Sequence, residues 1–168
     1  MSDGPVTIHT ATPADLARVD ALFARAYPVL LKPDYPPSVL VTALPLISRA
    51  QPKLLASGTF YCAQIDGQVV GAGGWTPGAP GGAQTSARVG HVRHLVTDQN
   101  HTRRGIGRAL MGHVFDLAAQ AGMTALHCQS TRTAVPFYRA VGFQVIGEIT
   151  VPLRPGIDFP AVAMTRDL

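Results

Sequence analysis

A chain of 168 residues is the size of one domain with a substantial core, and 46% apolar against 14% charged residues excludes a disordered segment. Its longest apolar run, residues 39–47, is broken by Thr42 and Pro45 and falls short of the roughly 18–20 residues of a membrane span. The net charge is +4, and 12 of the 14 basic residues are arginine, whose planar fork suits phosphate oxygens as well as it suits a solvated face.

The opening residues Met1-Ser2-Asp3-Gly4-Pro5 carry neither a basic segment nor an apolar one, so no secretory leader is expected there. Cys62 and Cys128 each fall inside an apolar, strand-like run and read as buried, reduced thiols. A cytoplasmic setting is the expectation. No histidine or cysteine pair has metal-ligand spacing, and no metal is expected.

In chain order, residues 6–9 read as a short strand. Thr12 then serves as N-cap, with Pro13 at the first helical position and Asp15 in the first turn. Leu16, Val19, Phe23 and Ala26 recur at helical spacing, and Pro28 is expected to end that helix. Residues 27–37 hold four prolines and predict a shaped loop; Ser38 caps a second helix to about residue 50, kinked at Pro45. Strands follow at 59–65 and 68–75 about the turn Asp66-Gly67, then a glycine- and proline-rich connection at 77–82 and a strand at 88–97.

Arg104-Gly105-Ile106-Gly107 opens the next helix and Gly122 ends it, with Ile106, Leu110, Val114, Leu117 and Ala121 as its core stripe. A strand at 125–129, a short helix at 132–140, a strand at 143–151 and a last strand at 161–166 complete the chain. The order β-α-α-β-β-β-α-β-α-β-β predicts an α/β fold in one domain, a mixed and mostly antiparallel sheet with helices on both faces.

The stretch 94–110 carries the most chemistry. A strand ends, a polar loop turns, and Gly105 and Gly107 lead straight into an amphipathic helix with arginines 103, 104 and 108 beside them. Glycines there let main-chain N–H groups face a ligand, and the helix dipole favours an anion. A phosphate or pyrophosphate cradle is one reading and a glycine-assisted helix start without ligand the other. Neither G-x-G-x-x-G nor a Gly-Lys-Ser/Thr loop is present.

Residues 103–110, Arg-Arg-Gly-Ile-Gly-Arg-Ala-Leu, resemble the coenzyme A pyrophosphate loop of the GNAT acetyltransferases. Residues 134–143, Ala-Val-Pro-Phe-Tyr-Arg-Ala-Val-Gly-Phe, resemble the second signature of that family, and the order of elements is that of its fold. The resemblance is close over about residues 89–147. It implies acetyl-CoA as cosubstrate, with the main chain of Leu95, Val96 and Thr97 along the pantetheine arm and acetyl carbonyl. It also implies that the amides of Arg103, Arg104, Gly105, Ile106, Gly107 and Arg108 hold the pyrophosphate, and that Tyr138 protonates the leaving thiolate. Thr102 stands where the family usually has Gln or Arg, Gln99 where proline is common, and Thr131 where asparagine is frequent.

Family members often place a glutamate or histidine base six residues before the position of Thr97, which here is His91. The only glutamate is Glu148, so a glutamate base on this strand is excluded. His94, His101, His113 and His127 are further candidates, and loss of the proton to bulk water is the alternative. Trp75 belongs either to the core or to the acceptor wall. Specificity is expected from residues 27–50, 76–87 and 153–160, where Asp34 or Asp158 would attract a cationic amine. The expected partner is a small-molecule or peptide amine rather than nucleic acid or membrane, and a homodimer is compatible with the sequence. A coenzyme-A-binding module without catalysis is the rival function.

Overall fold

Phe60 and Cys62 face one side of their strand and Tyr61, Ala63 and Ile65 the other, and all five are buried. Such a strand belongs in the middle of a sheet covered on both faces. In the computed structural model, which describes residues 4–78, 88–102 and 104–168, it is the second strand of seven. The strands are β1 (Thr7–Thr10), β2 (Phe60–Ile65), β3 (Gln68–Thr76), β4 (Val89–Thr97), β5 (Ala125–Ser130), β6 (Gln144–Arg154) and β7 (Ile157–Asp167). They lie in the order β1-β2-β3-β4-β5-β7-β6, antiparallel throughout except for the parallel β4–β5 pair. Helices α1 (Leu16–Leu31), α2 (Pro37–Ile47) and the single turn α3 (Pro52–Leu55) cover one face. The helices α4 (Ile106–Gln120) and α5 (Val135–Ala140) cover the other. Among the described residues, no helix is long and apolar enough to cross a membrane.

The helical segment before β2 departs from the expectation. Pro28 does not end α1, which runs on to Leu31, and the first residues of the expected loop are helical. Proline removes one helical bond to the carbonyl four residues back, here that of Ala24. Ala24 and Pro28 are both exposed, so water can satisfy that carbonyl, while Leu31 is buried and holds the last turn to the core. Pro45 is likewise carried on the solvent side of α2, which starts at Pro37 with Pro36 as N-cap rather than at Ser38. The turn α3 was not foreseen. Further on, the buried stripe of α4 is Ile106, Leu110, Met111, Val114 and Ala118. Leu117 is only partly buried and Ala121 is exposed, a rotation of the expected stripe by about one position. The connection at 77–82 lies mostly outside the described residues.

Two irregularities in β4 position everything that follows. Ala72 pairs with Val96 and Gly74 with Arg93, so His94 and Leu95 together oppose Gly73, and His94 adopts φ 49°. This is a bulge that re-aims the strand. In addition β4 pairs with β5 only through Val89, Gly90 and His91, whereas β5 continues along β7 to Ser130. The sheet therefore splits beyond His91.

Candidate active site

A cavity of about 350 Å³ opens at that split. Leu95, Val96 and Thr97 of β4 line it, as do Gly105, Ile106, Gly107 and Arg108 at the start of α4. Gly105 is the N-cap of α4 with φ 74°, a conformation that costs a side-chain-bearing residue about 1 kcal/mol or more, and this turn frees the first amides of the helix. Gly107 approaches α5 closely: a Cβ there would lie 3.1 Å from Phe137 Cε1. Phe137 and Ala134 form the wall opposite the loop. Arg104, also expected in the cradle, is not a lining residue; its guanidinium reaches the Gly4 carbonyl at 3.5 Å. Arg103 lies outside the described residues.

Tyr138 sits directly behind Phe137, 5% exposed, and does not line the cavity itself. The second signature explains its setting. Gly142 N–H bonds the Arg139 carbonyl and Phe143 N–H the Tyr138 carbonyl, the paired bonds of a Schellman stop. That stop brings the Phe143 ring to 5.2 Å from the Tyr138 ring, edge to face. Burial, reinforced by the neighbouring Cys128 and Tyr27, pushes the Tyr138 phenol well above its usual range, so it holds its proton at neutral pH. The Cys128 thiol in the same surroundings is pushed up to about 12 by burial.

His91 is 8% exposed, stands at the last β4–β5 pair opposite His127, and does not line the cavity. The two rings meet edge to face at 5.6 Å, and His91 Nε2 is buried without a hydrogen-bond partner. Burial first, then His127 and Arg93, lower its pKa below 6.5, so the ring is neutral at pH 7. Of the other histidines, His101 lines the cavity and its Nδ1 is 3.5 Å from Asp98 Oδ1. His113 packs on Tyr61 and is remote from the cavity lining.

Of the segment 27–50 expected to shape the acceptor pocket, Tyr27, Leu30 and Leu31 line the cavity, as helix rather than loop. The Tyr27 hydroxyl is 3.1 Å from Nδ1 of His94, the bulged residue. His94 also stacks on Phe23 at 5.0 Å. Burial, aided by Arg93, lowers the His94 pKa to about 4, while burial raises that of Tyr27, so the pair is neutral. The lost signal was Pro28: a helix ended there would not have carried Leu30 and Leu31 to the cavity. Helix α1 is tied to the loop below β4 by Arg25, whose Nε donates to the buried Asp98 at 2.8 Å and whose Nη2 donates to the Val69 carbonyl at 2.8 Å.

Elsewhere, Trp75 is core, its Nε1–H donating to the Tyr61 hydroxyl at 3.2 Å. Asp34 and Asp158 are exposed and outside the cavity lining. His9, Asp15 and Cys62 bring potential metal-ligand atoms within 4.8 Å of one another. The carboxylate of Asp15 is already engaged by Arg18, His9 and the Thr12 amide, and the Cys62 thiol is pushed up to about 12 by burial. The group is a satisfied capping network rather than an open coordination site.

Comparison with known proteins places this geometry. The sequence model described as the Acetyltransferase (GNAT) family matches residues 21–143. A mouse protein named Probable N-acetyltransferase family 8 member 5 is 31% identical over 120 residues, 68% of this chain and 50% of that protein. Glucosamine 6-phosphate N-acetyltransferase of Trypanosoma brucei brucei is 26% identical over 84 residues, 50% of this chain and 56% of that protein. The chain thus spans about half the length of these two relatives. Among solved structures, a GCN5-related N-acetyltransferase from Rhodopseudomonas palustris superposes with a TM-score of 0.81 at 20% identity, covering 100% of this chain and 98% of its own. The PaiA N-acetyltransferase of Thermoplasma acidophilum, in complex with coenzyme A, gives 0.73 at 14% identity with 98% and 99% covered.

Proposed function

Because the chain belongs to the GNAT acetyltransferase family, we propose that it transfers the acetyl group of acetyl-CoA directly to a primary amine. The observation that carries this reading is the continuity of the cavity from the glycine loop of α4, along the bulged end of β4, to Phe137 in front of Tyr138. The surroundings fit a pyrophosphate and a pantetheine arm. Gly105 supplies the positive-φ turn that frees the first amides of α4, Gly107 leaves space that a Cβ would fill against Phe137, and Thr133 adds a buried hydroxyl oxygen without a partner at the cavity.

In this reading the amides of residues 104–108, with that of Arg103, hold the pyrophosphate. Main-chain groups of Leu95, Val96 and Thr97 align the arm and stabilise the oxyanion that develops when the amine attacks the thioester carbonyl. Tyr138 gives its proton to the departing sulfur. His91 accepts the proton of the amine through a water, since it does not line the cavity but carries a buried nitrogen without a partner. A cytoplasmic setting is part of the same reading, supported by two buried, free cysteines.

Steady-state thiol release from acetyl-CoA with a panel of primary amines tests the assignment, with expected amine-dependent release and a matching acetylated product. Tight coenzyme A binding with no release for any amine would leave the chain a binding module.

A further inference from the structure

We infer that the acceptor is an amine bearing an anionic group, a carboxylate or a phosphate, and that Arg93 recognises that group; the inference rests on the acetyl-transfer reading above. Val92 packs into the core on the α4 side of the sheet. Strand alternation therefore turns His91 and Arg93 to the opposite face. Arg93 indeed reaches Gln51, the residue just before α3. This is the face of α1–α3, away from the helix that carries the glycine loop.

The partners of Arg93 do not balance its charge. Nη1 is 3.4 Å from Thr76 Oγ1 and Nη2 is 3.4 Å from Gln51 Oε1, two long contacts to neutral oxygens. The ion pairs of Asp15 and Asp98 do not involve Arg93. Of the undescribed residues only Asp3 is acidic. A guanidinium taken partly out of water normally acquires a carboxylate, because desolvating a charge without a counter-charge is costly.

The neighbours deepen the imbalance. Cross-strand register sets Thr76, His91 and His127 side by side over β3, β4 and β5. His91 is more than nine-tenths buried and its Nε2 has no partner. The charge of Arg93 disfavours protonation of both His91 and His94. Among the described residues the face thus offers a planar, doubly donating cation, an unused imidazole nitrogen and two neutral oxygens, with no acid bonded to Arg93. A carboxylate or phosphate matches the fork of Arg93 bidentately. An acceptor held there lies one residue from the bulge at His94, where β4 turns its main chain toward the cavity.

The test compares amines matched except for the anion: alanine against alaninamide, and glucosamine 6-phosphate against glucosamine, each with acetyl-CoA. At least one anionic member is expected to show a kcat/KM about tenfold or more above its neutral match, mainly through KM. Arg93→Met should bring that ratio to within about threefold, a difference well below one tenfold step, and Arg93→Lys should restore part of it. No preference for the anion in the wild type, or a ratio unchanged by Arg93→Met, would overturn the inference. So would an Arg93→Met loss of coenzyme A affinity by calorimetry, which would assign the arginine to the cofactor.

A second measurement needs neither turnover nor a variant that folds. The coenzyme-A-saturated wild type is titrated with inorganic phosphate and with succinate while the His91 and His127 ring resonances are followed by NMR. Saturable shifts support the anion site, and their absence overturns it. Saturable shifts together with no thiol release from any amine would count against acetyl transfer and leave the anion site standing.

Discussion

The two faces of β4 are built from different materials. On the α4 side the recognition elements are main-chain groups at Leu95–Thr97 and at the start of α4, set by glycine and by a bulge. On the α1–α3 side they are side chains, Arg93, His91, Gln51 and Thr76, gathered from three separate stretches of chain. A main-chain site is hard to weaken by trimming side chains and easy to block by adding one. A side-chain site behaves in the opposite way.

The largest effect expected on the main-chain face comes from Gly107→Glu. It places bulk against Phe137 and a like charge at the cradle, and coenzyme A binding by calorimetry should fall below detection in a folded variant. By contrast Arg108→Ala, which leaves the amides in place, should cost less than about tenfold in affinity, the scale of one charge-assisted bond. Equal losses from the two variants would break the contrast. Tyr138→Phe should lower turnover by about 10²–10⁴ while cofactor affinity holds, the usual worth of a positioned acid. A drop of less than about threefold with chemistry rate-limiting would remove Tyr138 from that role.

His91 sharpens the comparison through pH. Its pKa is lowered in the fold, so the acidic limb of the rate should lie below the unperturbed 6.5, with activity rising as the ring loses its proton. Burial first, then His127 and Arg93, push in that direction. A full acidic limb surviving in an active His91→Ala variant would assign the proton to bulk water. The smallest effect is on stability. His94 titrates at about 4 in the fold and near 6.5 when unfolded, so the unfolded chain binds the extra proton. Stability should therefore decline as pH falls from about 6.5 toward 4, and His94→Asn should flatten that slope in thermal melts. Asparagine tolerates the left-handed backbone and keeps a polar atom near Tyr27, so its cost at neutral pH should be about 1 kcal/mol.

What could be read from the sequence follows the same division. Gly105, Gly107 and the Ala134–Phe143 signature pointed to the cavity beside α4, because a main-chain site must be announced by residues that shape the main chain. On the side-chain face the sequence singled out His91 but gave Arg93 no role of its own. Arg93 is one arginine among 12, and only the absence of a counter-charge in three dimensions singles it out. The end of α1 was misread at Pro28, whose helix-ending tendency was outweighed by the burial of Leu31 and by solvent beside Ala24. Leu117 and Ala121 were misplaced because a stripe at 3.6-residue spacing fixes a direction only to within one position, and Met111 and Ala118 are buried instead.

Three residue pairs are the whole of the joint between β4 and β5. On one side stand β1 to β4, and on the other β5 with the long β6–β7 hairpin. Mechanically these are two half-sheets meeting at a short seam, and whatever occupies the gap beyond it works as mortar. Saturation with coenzyme A should then slow hydrogen exchange on both banks, at residues 95–97 and at residues 128–130, although only the first bank lines the cavity. Pulled apart by force, the chain should open first along this line.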